Sequence, residues 1–191
     1  MYYLILAILS IIVIVLGART NLLKDIVVNQ KIFMENAQEQ KIRTPEASFS
    51  WSRTQLAFWT VIILSSFLYL LFKYRFDIPE LNNVNLILLG ITVATTASAK
   101  LIDDSQKQNP DLSQDHPSEG FLRDILSDKN GVSIHRLQNV LWTIAIGIVY
   151  IQCVAVQKGM PDETVITDNL LILMGISTGA YIGIKTTENS K

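Results

Sequence analysis

The residues best suited to chemistry in this 191-residue chain are cations that lie at the ends of long apolar stretches. Lys and Arg bind phosphate groups by charge and hydrogen bonds, and a nearby helix N-terminus adds backbone amide donors. Such a set suits a nucleotide or oligonucleotide ligand, and a histidine beside one arginine could join it. The predicted anion-binding residues are Arg53, Lys100, His135, Arg136 and Lys185. The alternative is that these cations contact lipid phosphates and orient the chain in a membrane.

The rest of the sequence lacks the residue patterns of catalysis and metal binding. It contains no Ser/His/Asp set, no HExxH and no phosphate-binding glycine loop, so we expect no enzymatic activity. The only cysteine, Cys153, cannot form an internal disulfide, and the two histidines make no zinc-ligand cluster. We therefore predict no metal and no cofactor. The formal net charge of -1 excludes a broadly basic nucleic-acid-binding surface.

Five apolar blocks must position the cations. Each block has 16 to 19 residues and none contains Asp, Glu, Arg or His, and a helix needs roughly 20 apolar residues to cross a bilayer. The second and fourth blocks are apolar all round, whereas a helix of a soluble protein keeps a polar face. The sequence therefore predicts an all-α integral membrane protein with five transmembrane helices. The blocks are 2–17, 56–72, 84–102, 138–156 and 169–184.

The distribution of positive charge predicts the orientation of these helices. With five spans, 13 of the 16 Lys and Arg residues fall on the side that holds the long loops and the C-terminus. The other side holds only Lys73, Arg75 and Lys158. Because Lys and Arg accumulate in cytoplasmic loops, we predict that the N-terminus lies outside and the C-terminus in the cytoplasm.

Two pairs of segments match each other along the chain. SWSRTQLAFWT at 50–60 matches SIHRLQNVLWT at 133–143, with Ser, Arg, Gln and Trp-Thr in the same places. LLGITVATTASAK at 88–100 matches LMGISTGAYIGIK at 173–185 in the same way. The matches predict one leading helix followed by a tandem duplicated helical hairpin. The two copies would be related by an axis along the membrane normal.

The matched residues have predicted roles at the helix starts. Ser50 and Ser133 are predicted N-caps whose side chains accept hydrogen bonds from free helix amides. In each copy a glutamine and the tryptophan four residues later share a helix face. These pairs are Gln55 with Trp59 and Gln138 with Trp142.

The returning helix of each predicted hairpin carries small residues at every fourth position and nearby hydroxyl groups. Small residues let helix backbones approach closely within a membrane. This surface is interpreted as packing within the subunit or, alternatively, as a subunit interface or pore lining. Its residues are Gly90, Thr92, Ala94, Ser98, Gly175, Ser177, Gly179 and Gly183.

The chain is predicted to have four parts. Residues 1–45 form an N-terminal transmembrane helix that continues into a cytoplasmic helix, and 46–102 form the first hairpin. Residues 103–132 form a cytoplasmic linker with a short amphipathic helix, and 133–191 form the second hairpin and the C-terminal tail. The apolar face predicted for the short helix comprises Phe121, Leu122, Ile125 and Leu126.

The string FLRDILSDKNGVSIHRLQNVLWT, followed by LLILMGISTGAYIGIK, resembles a largely uncharacterised group of small bacterial inner-membrane proteins. Together with SRTQLAFWTVII and LLGITVATTASAKLID, the resemblance covers most of residues 50–185 and implies a location in the bacterial inner (plasma) membrane. The layout is also broadly similar to that of small membrane effectors of anti-phage defence systems. This second likeness is an analogy of size and layout, without a shared motif.

Two functions are consistent with these features. The first is a homo-oligomeric channel or membrane-disrupting effector, gated by a cytoplasmic anionic ligand or protein partner. The small-residue faces and the cationic rim favour it, and its expected partners are membrane lipids and further copies of the chain. The second is a non-conducting anchor or scaffold that holds a soluble partner at the inner face. It is favoured by cytoplasmic segments that are too small to form a domain of their own.

Overall fold

The structure is a computed structural model that describes residues 1–75, 77–90, 93, 96–97, 116–128 and 131–174. This part of the chain is mostly helical, with one two-stranded antiparallel hairpin. In chain order the elements are α1 (Tyr2–Arg19), α2 (Gln30–Glu39), α3 (Trp51–Lys73), α4 (described over 83–90), α5 (Phe121–Leu126), β1 (Ser127–Asp128), β2 (Gly131–Val132), α6 (Ile134–Gln157) and α7 (described over 168–174).

Three of the described helices, α1, α3 and α6, are long and apolar enough to cross a membrane. They coincide with the first, second and fourth predicted blocks. Helices α3 and α6 have 23 and 24 residues, more than their apolar blocks, because the polar residues before each block are helical too. The other two predicted spans, 84–102 and 169–184, lie only partly within the described residues, so the count of five transmembrane helices stays a prediction.

The three long apolar helices share one apolar core at the contact of α3 with α6. Trp59 of α3 and Tyr150 of α6 are fully buried there, with their ring centroids 6.2 Å apart. Residues of α4 and α7 complete the same cluster. Helix α1 lies at the periphery of the bundle. Only 11% of the residues in its apolar stretch are buried, against 44% in the apolar stretches of α3 and of α6. The Tyr2 and Ser66 hydroxyls, 3.1 Å apart, join α1 to α3.

The closest approach of α3 and α6 requires a glycine. A Cβ atom built on Gly147 of α6 would lie 2.5 Å from Cζ of Phe58 and 3.3 Å from Cδ1 of Ile62. Both distances are shorter than ordinary van der Waals contact, so the missing side chain lets the Phe58 ring pack directly on the α6 backbone.

The connections at the other end of the bundle are joined by polar contacts. The Tyr74 hydroxyl donates to the carbonyl of Lys158 at 2.9 Å, and the Asn82 amide donates to the carbonyl of Pro161 at 2.6 Å. Deeper in the bundle, the Tyr150 hydroxyl donates to Oδ1 of Asn85 at 2.5 Å. The first contact joins the ends of α3 and α6, and the other two hold the start of α4 against α6 and the residues after it, at the end that charge counting predicts to be outside.

The first helix does not continue unbroken into the second, because the chain bends between α1 and α2, and the cytoplasmic location of α2 stays a prediction. Helix α1 ends at Arg19, and its C-cap Thr20 is extended. Lys24 then pairs antiparallel with Phe49, so the backbone finds hydrogen-bond partners outside the helix. One side of α2 is covered within the chain, where its Phe33 and Ala37 are buried.

The segments before α3 and α6 pack together in a small layer, which we call the inner platform (residues 20–50, 116–128 and 131–133). An apolar cluster joins the platform to the two helices. It contains Ile125 of the platform, Trp51 of α3 and Val140 of α6, with Phe49 and Leu126 packed against it. The face predicted for α5 is therefore only partly correct. Ile125 is buried, but Leu122 is 67% exposed, because this six-residue helix turns only one side toward Trp51.

Candidate functional site

Helices α3 and α6 begin with nearly the same backbone geometry. Ser50 is the N-cap of α3 with φ -90° and ψ 121°, and Ser133 is the N-cap of α6 with φ -90° and ψ 126°. The predicted N-cap positions are therefore confirmed. The predicted side-chain caps are wrong, because neither hydroxyl accepts a hydrogen bond from a backbone amide of its helix. The Ser50 hydroxyl instead lies 3.1 Å from that of Ser52.

Each helix start is tied to the inner platform through its serine amide. The Ser50 amide donates to the carbonyl of Leu23 at 2.8 Å, and the Ser133 amide donates to the carbonyl of Leu126 at 2.9 Å. The residue after each leucine pairs antiparallel with the residue before each serine. These pairs are Lys24 with Phe49 and Ser127 with Val132.

An arginine makes a second attachment at each helix start. Nη1 of Arg53 lies 3.4 Å from the carbonyl oxygen of Asn21, and Nη1 of Arg136 lies 3.5 Å from that of Asp124. Both distances are long for a hydrogen bond, so each attachment is weak. Each arginine stands three residues after its N-cap serine and reaches the carbonyl two residues before the leucine that the serine binds. We call the serine and arginine attachments together the paired anchors.

The sequence contains a signal for the paired anchors that the comparison of 50–60 with 133–143 does not use. Residues 21–25, NLLKD, and residues 124–128, DILSD, share Leu and Asp at the third and fifth positions. Their offset is 103, whereas the helix starts match at 83. The first connection therefore contains 20 more residues, and these include α2. An insertion of that size hides the match from a search at constant spacing.

Asp124 joins three segments of the inner platform. Its carboxylate accepts hydrogen bonds from the Phe49 amide at 3.0 Å, the Ser118 hydroxyl at 2.6 Å and the Glu119 amide at 2.9 Å. Its own carbonyl receives the contact from Arg136. A single carboxylate therefore ties the segment before α3 to the segment before α6.

A cavity of about 430 Å³ opens beside the end of α1, between the start of α2 and residues 45–47. Arg19 and Asn21 line it, together with Lys24 and Glu46. Nζ of the buried Lys24 lies 2.5 Å from the Glu46 carboxylate, and this hydrogen bond holds the pKa of Glu46 below its usual range. Since Lys24 is neutralised by Glu46, Arg19 is the lining residue best placed to attract an anion.

In the structure, the two predicted anion-binding arginines contact backbone carbonyls of two different segments. Arg53 and Arg136 are half-buried at their helix starts and contact the carbonyls described above, while His135 is exposed at the start of α6. Lys100 and Lys185 lie outside the described residues. The anion site formed by all five residues stays a prediction.

Most of the predicted small-residue surface lies outside the described residues, namely Thr92, Ala94, Ser98, Gly175, Ser177, Gly179 and Gly183. Its remaining member, Gly90, is exposed, and a Cβ atom built there would meet no described atom within 4 Å. In the same segment, the Thr96 hydroxyl donates to the carbonyl of Ser52 at 3.3 Å. That contact brings the returning chain to the start of α3.

A buried polar contact crosses between α3 and α6 in the first three turns of the two helices. The Gln55 amide donates to Oγ1 of Thr143 at 2.9 Å and to Oδ1 of Asn139 at 3.2 Å. Within the described chain, Oε1 of Gln55 and Nε1 of Trp59 have no hydrogen-bond partner. Asn139 and Thr143 were not expected at this contact. Their positions four residues apart on one face of α6 were the available signal.

Comparisons with protein-family models, with curated proteins and with solved structures find no match. The functional assignment therefore depends on the chain's own residues and geometry.

Proposed function

We propose that the chain is a homo-oligomeric channel or membrane-disrupting effector of the bacterial inner membrane, gated from its cytoplasmic side. The paired anchors support this proposal most directly. Each of the two central apolar helices is attached to the inner platform twice within its first turn, by the serine amide and by the arginine. A displacement of the platform would therefore be transmitted to both helices together.

The proposed topology has five spans, with the N-terminus outside and a duplicated hairpin after α1. The asymmetry of Lys and Arg supports the orientation. The duplication is supported by the matching N-cap dihedral angles and by the equivalent contacts of Leu23 and Leu126. In this topology the inner platform faces the cytoplasm, where a ligand or a protein partner reaches it.

The proposed trigger is an anionic ligand, such as a nucleotide or oligonucleotide, or a soluble partner with an acidic surface. Phosphate oxygens are stronger acceptors for a guanidinium group than a backbone carbonyl is. The long contacts of Arg53 with Asn21 and of Arg136 with Asp124 are therefore the ones that an arriving anion would replace. Release of either arginine would loosen the platform from the helix start and favour the open state.

Planar-bilayer recording of the purified protein tests this function. The Arg53→Gln/Arg136→Gln variant removes both charges at the paired anchors. Because release of the arginines favours the open state, we expect this variant to raise the open probability roughly tenfold, the equivalent of about 1.4 kcal/mol. Arg123→Gln is the matched control, because Arg123 is exposed and its ion pair among the described residues is with Glu119 on the same platform. Absence of conductance in all three proteins, with and without polyphosphate or oligonucleotide, would refute the channel.

The second candidate function, a non-conducting anchor or scaffold for a soluble partner, is favoured by exposed apolar residues on the platform. Leu122, Val132 and Ile134 are each more than 60% exposed, and they follow one another closely in and around α5 and the hairpin. A Leu122→Ser/Val132→Ser variant should lose a partner that co-purifies from a strain carrying the neighbouring genes. If no partner co-purifies with the unmodified chain from that strain, the scaffold function is excluded.

A further inference from the structure

The contact between α3 and α6 uses different faces of the two helices. Counted from the N-cap serine, both helices have Gln as the fifth residue, Trp as the ninth and Thr as the tenth. In the contact, Gln55 of α3 donates to Thr143 of α6. The reciprocal pair, Gln138 of α6 and Thr60 of α3, takes no part, because both residues are exposed. A two-fold contact would bury both pairs, so the arrangement is head-to-tail.

The difference in burial continues along both helices. Ser66 of α3 is buried, whereas its counterpart Val149 of α6 is 39% exposed. Conversely, Gly147 of α6 is buried, whereas its counterpart Leu64 of α3 is 42% exposed. At both pairs of matched positions, the residue of one helix is buried and its counterpart on the other helix is exposed.

We propose that the chain assembles head-to-tail with further copies of itself. In this assembly, the α6 face that carries Gln138 in one copy packs on the α3 face that carries Thr60 in the next copy. We call this contact the head-to-tail interface. The Gln138 amide donates to the Thr60 hydroxyl there, in the way that the Gln55 amide donates to Thr143 within one chain. Repetition of a head-to-tail contact closes into a ring when the rotation between copies divides a full turn.

The side chains at the reciprocal positions suit this interface. Within one chain, the large Phe58 ring of α3 packs on Gly147 of α6. At the interface, the counterparts are Leu141 of α6 and Leu64 of the next copy's α3. Leu141 is shorter than the Phe58 ring that it replaces, and Leu64 is longer than Gly147. The two changes offset each other, so the helices stay in contact. Leu141 is 56% exposed in the single chain and has an open surface to offer.

The polar residues favour a second copy over lipid as the occupant of this surface. Gln138 is the fifth residue after the N-cap, about 7.5 Å along the helix axis at 1.5 Å per residue. An amide at that depth gains little from hydrocarbon chains, whereas a facing hydroxyl accepts its hydrogen bond. Thr60 supplies that hydroxyl five residues further along α3, the same difference in position that separates Gln55 from Thr143 within one chain. The inference rests on the self-association in the proposed function and not on conduction.

Cysteine cross-linking of the full-length chain in native membranes tests the head-to-tail interface. All variants carry Cys153→Ala, because Cys153 is the only cysteine. One tagged copy carries Thr60→Cys and a differently tagged copy carries Gln138→Cys, and membranes that contain both are treated with an oxidant. A disulfide needs Cα atoms about 4.4–6.8 Å apart. We expect at least about tenfold more linked product in the mixture than with either copy alone.

The matched control combines Thr60→Cys with Val156→Cys. Val156 is also an exposed residue of α6, but it lies 13 residues further from the N-cap than Thr60 does, about 20 Å along the axis. We expect no product from that pair. Equal yields from both pairs, self-linking of the Gln138→Cys copy alone, or no product at all would each overturn the proposal.

A chain that carries both Thr60→Cys and Gln138→Cys distinguishes this interface from the channel function. We expect a ladder of linked dimers, trimers and larger species in denaturing electrophoresis, and bands no larger than a monomer would overturn the interface. Cross-linking needs no current. A ladder without conductance therefore refutes only the channel, and conductance without a ladder refutes only this interface.

Discussion

The Gln55 amide donates to the Thr143 hydroxyl at 2.9 Å across the contact between α3 and α6. Both residues are buried among apolar side chains, and Asn139 accepts from the same amide. Interhelical hydrogen bonds stabilise a membrane contact because hydrocarbon offers no competing partner. They also specify the register of the two helices, since a shift by one residue would separate Gln55 from Thr143.

Replacement of Gln55 by leucine should destabilise the protein. Gln55→Leu keeps the side-chain volume close to the original but leaves Asn139 and Thr143 without this donor. We expect a loss of about 1 kcal/mol, measured as a lower midpoint of thermal unfolding in detergent. Gln138→Leu is the matched control, because Gln138 is exposed in the single chain, and the midpoint of its monomer should not change. Equal shifts in both variants would contradict a special role for Gln55.

A methyl group at Gly147 should loosen the contact of α3 with α6. The new Cβ atom would lie 2.5 Å from the Phe58 ring, so the ring or the helix must move. We expect Gly147→Ala to lower the stability by about 1–3 kcal/mol, again read from thermal unfolding. Gly90→Ala serves as the control, because a Cβ atom there meets no described atom within 4 Å. A midpoint for Gly147→Ala that matches or exceeds the control's would refute this close packing.

Loss of the Asp124 carboxylate should detach the two halves of the inner platform. Asp124→Ala removes acceptors from the Phe49 amide, the Ser118 hydroxyl and the Glu119 amide. We expect a loss of about 2 kcal/mol and faster hydrogen exchange at the amides of 46–50. The comparison is Asp162→Ala, since the Asp162 side chain accepts hydrogen bonds within its own loop, from the amide and the hydroxyl of Thr164. Unchanged exchange at 46–50 would show that Asp124 does not tie these segments.

The stability of the inner platform should fall in acid because of Glu46. The Lys24 ammonium holds the pKa of Glu46 below its usual range in the folded protein. A lowered folded-state pKa stabilises the fold above the unfolded-state pKa, near 4.3, and this contribution disappears as the pH falls through the folded-state value. The midpoint of thermal unfolding should therefore depend less on pH in Glu46→Gln than in the unmodified protein, between about pH 3 and 7.

Glu35→Gln is the control for this titration. Glu35 pairs with Lys31 at 4.0 Å, and both side chains are exposed, so the pair contributes little. Its variant should keep the pH dependence of the unmodified protein. A Glu46→Gln variant that follows the same pH curve as the unmodified protein would mean that the bond to Lys24 contributes nothing.

The helices were the most predictable part of the fold. Long runs without ionisable residues can only be satisfied by buried or lipid-facing helices, so α1, α3 and α6 were predicted within a few residues of their cores. The turn after Arg19 was not predictable in this way, because residues 18–33 keep a helical spacing of apolar positions. Their backbone instead pairs with residues 48–50, which lie far away in the sequence.

The candidate site was predictable in residue type but not in partner. The match of residues 50–60 with 133–143 singled out Arg53 and Arg136 as equivalent, and both stand at the same point of their helix starts. Their actual contacts, the carbonyls of Asn21 and Asp124, depend on how the platform folds back. A carbonyl has no side-chain signature, so no residue pattern reports it.

The lengths of the apolar runs alone determined that this chain has long apolar helices, since the length of a run is a local property of the sequence. Tertiary structure alone decided which face of each helix is buried. In a soluble helix the polar face marks the solvent side, but α3 and α6 are apolar all round, and hydrocarbon and protein neighbours are equally apolar. The two helices share their Ser, Arg, Gln and Trp-Thr positions, yet Gln55 is buried and Gln138 is exposed. That difference arises only when one helix has packed against the other.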